Sequence, residues 1–339
     1  VGLPKTFAVK PADFRGIIPK LKVDIGSEVK AGTPLFYSKD NPDINFVSPV
    51  SGEVIEINRG AKRVILDIKI LADAEIKHEK FSTADPANLS KEEVISKLLA
   101  GGCWPLIRQR PFHKVANPAD SPKSIFVSGF DSAPLAVDYQ VALAGKESYF
   151  QAGITALGKL TTGKVHLNLS NRVQNSAVFT NVKGAQINYF DGPHPAGNVG
   201  VQIHHIDPIN KGDIVWIVNA QDVAAIGKLF TDGVYDSSRV IALAGSEVKN
   251  PSHVNFWQGA SVESLLEGEI NAHSRVISGN VLTGSKIDDK NYLGFYDQTI
   301  TVIPEGDEPE FLGWLIPTYP RPSLSKTFLS YLFKDRKYK

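Results

Sequence analysis

A multidomain α/β protein is the fold class this sequence predicts: a small all-β module, an α/β body on a mostly parallel sheet, and a second β-rich module. Three observations lead there. Short alternating apolar runs punctuated by glycine and proline fill residues 1–72, the pattern of a small barrel or sandwich. From 73 to 250, strand-like and helical stretches alternate, which points to parallel strands with helices on the faces of the sheet. Over 251–325 the strand-like runs return, and 326–339 reads as the start of a further helical region.

A chain of 339 residues fits two or three such domains. Its 42% apolar and 22% charged residues are those of an ordinary soluble globular protein. A net charge of +1 argues against a nucleic-acid binder or a polybasic membrane-surface protein. No apolar run approaches the ~20 residues of a membrane span, and no signal-peptide pattern opens the chain. The single cysteine, Cys103, excludes an internal disulfide, a four-cysteine iron–sulfur cluster and a cysteine-rich zinc site. Cysteine usage therefore points to the reducing cytoplasm. The missing initiator methionine suggests a chain cut from a longer one; no methionine occurs elsewhere either.

In the first module Leu21, Val23 and Ile25 alternate with polar residues, as on a half-buried strand. Gly26 and Gly32 mark tight turns, Leu35-Phe36-Tyr37 opens another strand, and Ile44–Val47 and Val54–Ile57 supply two more. Gly26-x-x-Val29-x-x-Gly32-x-x-Leu35, followed by Ser48-Pro49-Val50-x-Gly52-x-Val54, resembles the barrel-sandwich hybrid of lipoyl and biotinyl domains. That family carries its prosthetic group on a lysine of an exposed hairpin. The matching hairpin here is Lys39 to Ile44, with Asn41 near the acceptor's place. Lys39 lacks the family's flanking pattern, so the expectation is a structural module without cargo.

The body opens on Ser90 and Glu93, spaced as a capping box, with Val94, Ile95, Leu98 and Leu99 as the apolar face of a helix that Gly101-Gly102 end. The next stretch, Cys103 to Val115, bears on chemistry. A phosphate cradle needs small residues whose successive N–H groups can face the anion. Trp104, Pro105, Leu106 and Ile107 are bulky or lack the donor. Arg108 and Arg110, joined by Lys114, could instead grip an anion or a partner's carboxylates. The plainer reading is two solvated or ion-paired arginines on a surface loop. Cys103 has no neighbouring base and reads as a small buried residue. Ser124 to Ser128 is a buried strand, Phe150 to Leu160 a helix, and Lys164 to Leu169 another strand. A G-x-G-x-x-G fingerprint is absent, so ordinary dinucleotide binding is not supported.

Asp191 to His205 follows a strand over Ala185–Phe190 and gathers Gly192, Gly197, Gly200, Pro193, Pro195 and three histidines. A turn of that composition at a strand's end is where open α/β sheets place ligands. The spacing of His194, His204 and His205 matches no metal motif, so no metal is expected and hydrogen-bonded imidazoles are the plainer reading. The nearly continuous apolar run Asp213–Val218 suits the middle of the sheet. Asn219 or Asp222 caps a helix over Val223–Phe230, and Arg239–Gly245 is the next strand.

Asp191-Gly-Pro-His-Pro-Ala-Gly197, the Gln221–Phe230 helix and Arg239–Gly245 together resemble the A subunit of the bacterial sodium-translocating NADH:quinone reductases (Na+-NQR). Asn58–Arg63, Arg110–Val115, Val276–Gly284 and Phe311–Trp314 fit the same family, so the resemblance covers nearly the whole chain. The family's opening β segment and its C-terminal helical region have no counterpart here. Wider relatives are the C subunit of the Rnf complex and the NADH-binding subunit of respiratory complex I. Those hold FMN and NADH with a Gly-Gly-Ala-Gly-Phe-Pro-type loop and carry cysteines for iron–sulfur clusters. Here the corresponding place reads Cys103 to Phe112, and the cluster cysteines are absent. The resemblance thus implies a Rossmann-like central domain, while the residues argue against the cofactors.

In the third module Gly259–Gly268 suggests a helix feeding a strand at Arg275–Gly279, and Tyr292–Tyr296 and Gln298–Ile303 continue the strands. This resembles the β-grasp, soluble-ligand-binding domain of the same superfamily. Thr327–Phe333 reads as a short amphipathic helix before a basic end. The resemblance implies a peripheral subunit on the cytoplasmic face of the bacterial inner membrane, docked on membrane and flavin-carrying subunits, with no nucleic-acid partner. It would contribute to reducing ubiquinone or menaquinone, coupled to Na+ export. FMN, riboflavin, FAD and Fe–S centres are expected in the partner subunits and none on this chain, and no catalytic residue is assigned. If quinone binds here, the candidates are Trp104, Arg108, Arg110, His194 and Asn198. Asp191, Gly192, Pro193, Pro195, Gly197 and Gly200 form the signature loop. The rivals are a degenerate flavoprotein scaffold serving assembly alone and an independent FMN/NADH dehydrogenase.

Overall fold

The computed structural model describes residues 2–173, 176–287 and 291–307, with isolated positions 309, 312, 325, 326 and 332 beyond them. The helix expected over 327–333, and the helical region expected over 326–339, lie outside the described residues apart from Lys326 and Leu332.

Seven strands form the first module: β1 (Thr6–Val9), β2 (Pro19–Leu21), β3 (Glu28–Val29), β4 (Pro34–Ser38), β5 (Asn41–Val47), β6 (Gly52–Arg59) and β7 (Ile65–Ala72). They make two antiparallel sheets, ordered β1-β7-β6-β3 and β2-β4-β5. Alternation turns Val54, Ile68, Ile70, Phe36 and Phe46 inward, and the rings of Phe36 and Phe46 stack with centroids 4.6 Å apart. The strand expected through Ile25 stops at Leu21. Ser27 N donates to Asp24 O across a turn, which leaves Ile25 64% exposed. Lys39 stands exposed between β4 and β5.

The body contains α1 (Lys91–Ala100), β8 (Arg108–Arg110), β9 (Lys114–Val115), β10 (Ser124–Ser128), α2 (Tyr139–Ala142) and α3 (Glu147–Gly158). It continues with β11 (Val165–Ser170), α4 (Ala177–Thr180), β12 (Gln186–Phe190), α5 (Val199–Ile206), β13 (Val215–Asn219) and α6 (Ala220–Asp232). Ser90 and Glu93 close the capping box of α1, as their spacing predicts. Asn219, not Asp222, caps α6 by accepting from Gln221 N, so that helix begins three residues before Val223. The sheet order is β12-β11-β10-β13-β8-β9. The first four strands are parallel and β8 runs antiparallel to β13. One face of the sheet, including Ile125, Val127, Trp216 and Val218, joins the main core with Phe150 and Ile154 of α3 and Ile226 and Leu229 of α6. The alternate residues Phe126, Val215 and Ile217 pack on Ile203 of α5 in a second, smaller core.

The last sheet comprises β14 (Ser238–Ala244), β15 (Ser252–Trp257), β16 (Ser274–Ser278), β17 (Ser285–Ile287) and β18 (Thr299–Pro304), ordered β15-β14-β18-β16-β17. The strand at 239–245, expected to end the body, is thus hydrogen-bonded into this sheet, parallel to β18 and antiparallel to β15. Its apolar run suits the interior of either sheet, so no local signal chooses between them. The helix expected over Gly259–Gly268 is the single turn α7 (Glu263–Leu266), and Tyr292–Tyr296 is a loop.

Candidate functional site

A cleft of about 750 Å³ opens where the body meets the last sheet, at the C-terminal ends of β10 and β13. Strand ends in α/β sheets leave such crevices because the connecting loops diverge there. The cleft is lined from three directions: by Arg108, Arg110 and His113; by Ser128, Phe130, Asp131 and the 197–201 segment; and by Gly279, Asn280, Thr283 and Tyr296–Thr299.

The cationic wall follows from strand alternation. Arg108 and Arg110 sit opposite Ile217 and Val215 on one face of β8, while Gln109 between them is buried. The Arg108 guanidinium lies 4.4 Å from the centroid of the Tyr296 ring, and Tyr296 Oη donates to Pro105 O at 2.6 Å. Arg108 Nη1 is 3.0 Å from His113 Nε2. A guanidinium has only donors, so His113 must accept through Nε2 and carry its proton on Nδ1. Burial, reinforced by the neighbouring charges of Arg108 and Arg110, pushes the His113 pKa down to about 3, which keeps the ring neutral. Burial, and then Arg108, likewise lower the Arg110 pKa.

The wall contributed by Gly197 to Val201 is held by a tightly folded loop that begins at Asp191. Ala196 N donates to Pro193 O at 2.9 Å, Asn198 N to Pro195 O at 2.8 Å, and Gly197 N to Ser132 Oγ at 2.8 Å. A Cβ on Gly197 would stand 2.3 Å from Ser132 N, so only glycine allows this approach. Buried Gln202 ties the loop down, donating to Ala196 O and Ser128 Oγ and accepting from Asn168 Nδ2. At the third wall Asn219 Nδ2 donates to Tyr139 Oη at 2.7 Å, and Gln298 Nε2 donates to Asn219 Oδ1. Burial raises the Tyr139 and Tyr296 pKa values, so both phenols stay protonated.

Of the sequence-derived candidates, Arg108, Arg110 and Asn198 line this cleft, with Gly197 and Gly200 of the loop. Trp104 does not. It is 0% exposed, donates through Nε1 to Ala116 O, and packs edge-on to Trp216 at 5.5 Å. Its apolar bulk, the reason it cannot cradle phosphate, is what draws it into the core. His194 is exposed on the loop, hydrogen-bonded to Ser132 Oγ at 3.0 Å, and is not among the lining residues. Asp191, Gly192, Pro193 and Pro195 are exposed nearby. His204 and His205 end α5, a helix not anticipated because the glycines around it read as loop. Among the described residues no group of three or more His, Cys, Asp or Glu could hold a metal, and no helix is long and apolar enough to cross a membrane. Sequence reading missed Tyr139, Asn219, Tyr296 and Gln298, which three separate stretches bring together. His113 was within reach, four residues from Gln109 in a run that already carried the two arginines.

Three family models match the chain: an NqrA N-terminal barrel-sandwich hybrid domain over residues 2–73, an NqrA second alpha/beta domain over 89–235, and an NQRA C-terminal domain over 240–289. Among similar proteins, the A subunit of the Na(+)-translocating NADH-quinone reductase of Pasteurella multocida (strain Pm70) is 42% identical over 326 residues, covering 95% of this chain and 73% of that one. The proteins of the same name from Serratia proteamaculans (strain 568) and Vibrio parahaemolyticus serotype O3:K6 (strain RIMD 2210633) are 39% and 38% identical, covering 96% and 98% of this chain and 73% and 75% of theirs. A slight likeness to a NAD+-reducing [NiFe]-hydrogenase structure, with TM-score 0.39 and 14% identity over 55% of this chain and 41% of the other, carries no weight for fold or function.

Proposed function

The chain belongs to the NqrA family, the A subunits of the Na+-translocating NADH-quinone reductase, and from that premise we propose that it serves as a peripheral subunit of such a complex whose cleft receives the quinone head group. In this reading the chain is one part of the oxidoreductase rather than a catalyst alone. Its body acts as a Rossmann-like domain and its last sheet as a β-grasp domain. It docks on membrane and flavin-carrying subunits at the cytoplasmic face of the inner membrane. FMN, riboflavin, FAD and Fe–S centres belong to those partners, and this chain holds none.

One observation carries the quinone assignment: two guanidiniums without carboxylate partners among the described residues share a cleft with the apolar side chains of Val199, Val201 and Ile217. A quinone offers apolar ring faces and two carbonyl acceptors, and those are what such a cleft can satisfy. Reduction to the quinol consumes two electrons and two protons, and negative charge develops on the carbonyl oxygens as electrons arrive. Arg108 and Arg110 would stabilise that charge where it forms, and Asn198 would orient the ring. Trp104 contributes only from the core beneath, and His194 from the outer loop.

The test is a titration of the assembled complex with a short-chain quinone, followed by the fluorescence of the Trp104–Trp216 pair, with Trp104→Phe as the control for its source. Saturable quenching that Arg108→Gln weakens is the expected result. An unresponsive complex would leave the scaffold reading, which the buried Trp104–Leu106 turn favours because it fills the place of a phosphate cradle.

A further inference from the structure

We infer that the cleft carries a site for a small organic oxyanion, a phosphate or carboxylate on an apolar body, gripped by Arg108 and Arg110, with His113 holding Arg108 in place. This rests on the cleft being a ligand site and is independent of whether a quinone also enters it. Its basis is the balance of donors and acceptors. Among the described residues neither Arg108 nor Arg110 has a carboxylate oxygen within 4.0 Å, whereas Arg239 pairs with Asp222 and Arg275 with Glu305. Arg108 Nε, Arg110 Nε and His113 Nδ1 are buried with no hydrogen-bond partner among the described residues. Three N–H groups without acceptors cost free energy. They are sealed from solvent, so what the cleft offers an incoming oxyanion is the guanidinium Nη groups, of which only Arg108 Nη1 has a hydrogen-bond partner, His113, among the described residues.

Other features of the cleft agree. Asp131 and Asp297 line it too, but neither places an oxygen within 4.0 Å of a nitrogen of Arg108 or Arg110; Asp131 Oδ1 accepts from Ala133 N and Asp297 Oδ2 from Ser278 Oγ. The first turn of α5 borders the cleft through Val199, Gly200 and Val201, and its N-cap Asn198 makes no side-chain capping bond. Its leading amides and the positive end of its dipole therefore face the same space. A Cβ at Gly200 would meet nothing within 4 Å, so the approach is open. A guanidinium fork matches phosphate and carboxylate geometry, and the neutral His113 ring holds Arg108 without placing a further positive charge beside it. The volume of about 750 Å³ far exceeds an inorganic ion and lies in the range of small-molecule sites, which is why an organic body is required.

Calorimetric titration of the full chain at low salt tests this, with phenyl phosphate, benzoate and inorganic phosphate as separate titrants and a neutral short-chain quinone as a fourth. Phenyl phosphate or benzoate should bind saturably and more tightly than inorganic phosphate. Arg110→Gln and Arg108→Gln should each weaken that binding roughly tenfold or more, since each removes a charge-assisted hydrogen bond. Arg108→Lys, which keeps charge but loses the fork, should weaken it less. Arg63→Gln, on the exposed surface of the first module, should leave it unchanged. The inference is overturned if neither organic anion binds, or if both glutamine variants bind as tightly as the parent. Anion binding here, with neither this chain nor the assembled complex responding to quinone, would sink the quinone assignment alone; quinone binding without anion binding would sink this inference alone.

Discussion

At the residue scale, charges held away from water dominate. Asp222 and Arg239 form an ion pair at 3.1 Å with side chains 1% and 3% exposed, behind the cleft in the main core. Burial raises the Asp222 pKa despite the attraction of Arg239, so desolvation is the larger effect. Among the described residues Asp222 Oδ2 and Arg239 Nε and Nη1 also lack hydrogen-bond partners. Arg239→Met should therefore cost about 3–5 kcal/mol in urea unfolding, because it strands a buried carboxylate, and the double variant Arg239→Met/Asp222→Leu should recover most of the loss. A double variant as unstable as the single one would show that the pair itself holds the sheets together. His113 makes a second prediction. Its folded pKa of about 3 lies below the ordinary 6.5, so the unfolded chain binds the extra proton first. Its contribution is complete above pH 6.5 and is lost as pH falls from 6.5 towards 3. His113→Gln keeps an acceptor for Arg108 and cannot titrate, so its stability should fall less steeply over that window. Parallel pH profiles for the two proteins would rule out a buried neutral imidazole.

At the element scale, α3 and α6 pack backbone to backbone through glycine. A Cβ on Gly227 would lie 1.7 Å from Tyr149 O, and one on Gly153 would lie 2.0 Å from Val223 O. Gly227→Ala has to push the helices apart, and a loss of about 1–3 kcal/mol or more in chemical unfolding is expected, although alanine favours the isolated helix. Unchanged stability would show that the close approach of the helices contributes nothing. Local signals sufficed for the capping box of α1 and the inner strand β13 and narrowed the cap of α6 to Asn219 or Asp222, because each depends on residues within one turn or one strand. Helix α5 was not legible, because Gly197 and Gly200 are turn-formers by local propensity. The packing of Ile203 on Phe126, Val215 and Ile217 overrides them. Arg108, Arg110 and Asn198 were legible as chemistry, whereas burial of Trp104 and recruitment of Tyr296 depend on distant parts of the chain.

At the scale of the whole molecule, the modules are stitched together rather than strung out. Ala8 N donates to Gly259 O at 2.8 Å and Ser261 N to Thr6 O at 3.0 Å, so the first strand is held by the segment after β15. Such pairings span some 250 residues, which is why periodicity could announce β14 without saying which sheet receives it. Asp13 lies at the same junction: its Oδ2 accepts from Phe295 N at 2.9 Å, and the neighbouring Phe14 ring sits 4.6 Å from that of Phe295, beside the cleft residue Tyr296. Burial raises the Asp13 pKa above 3.8, outweighing the bond from Phe295 and the charge of Lys10. A folded pKa above the unfolded one means the native state binds more protons, so the contribution of Asp13 is full below pH 3.8 and is lost as pH rises through the folded value. At neutral pH the ionised carboxylate therefore works against the junction. Asp13→Asn retains an oxygen for Phe295 N and removes the charge. It should raise the melting temperature at pH 7 and leave it unchanged below pH 3.8. A variant less stable than the parent at pH 7 would show instead that the ionised carboxylate, with Lys10, is what clamps the first module to the last sheet.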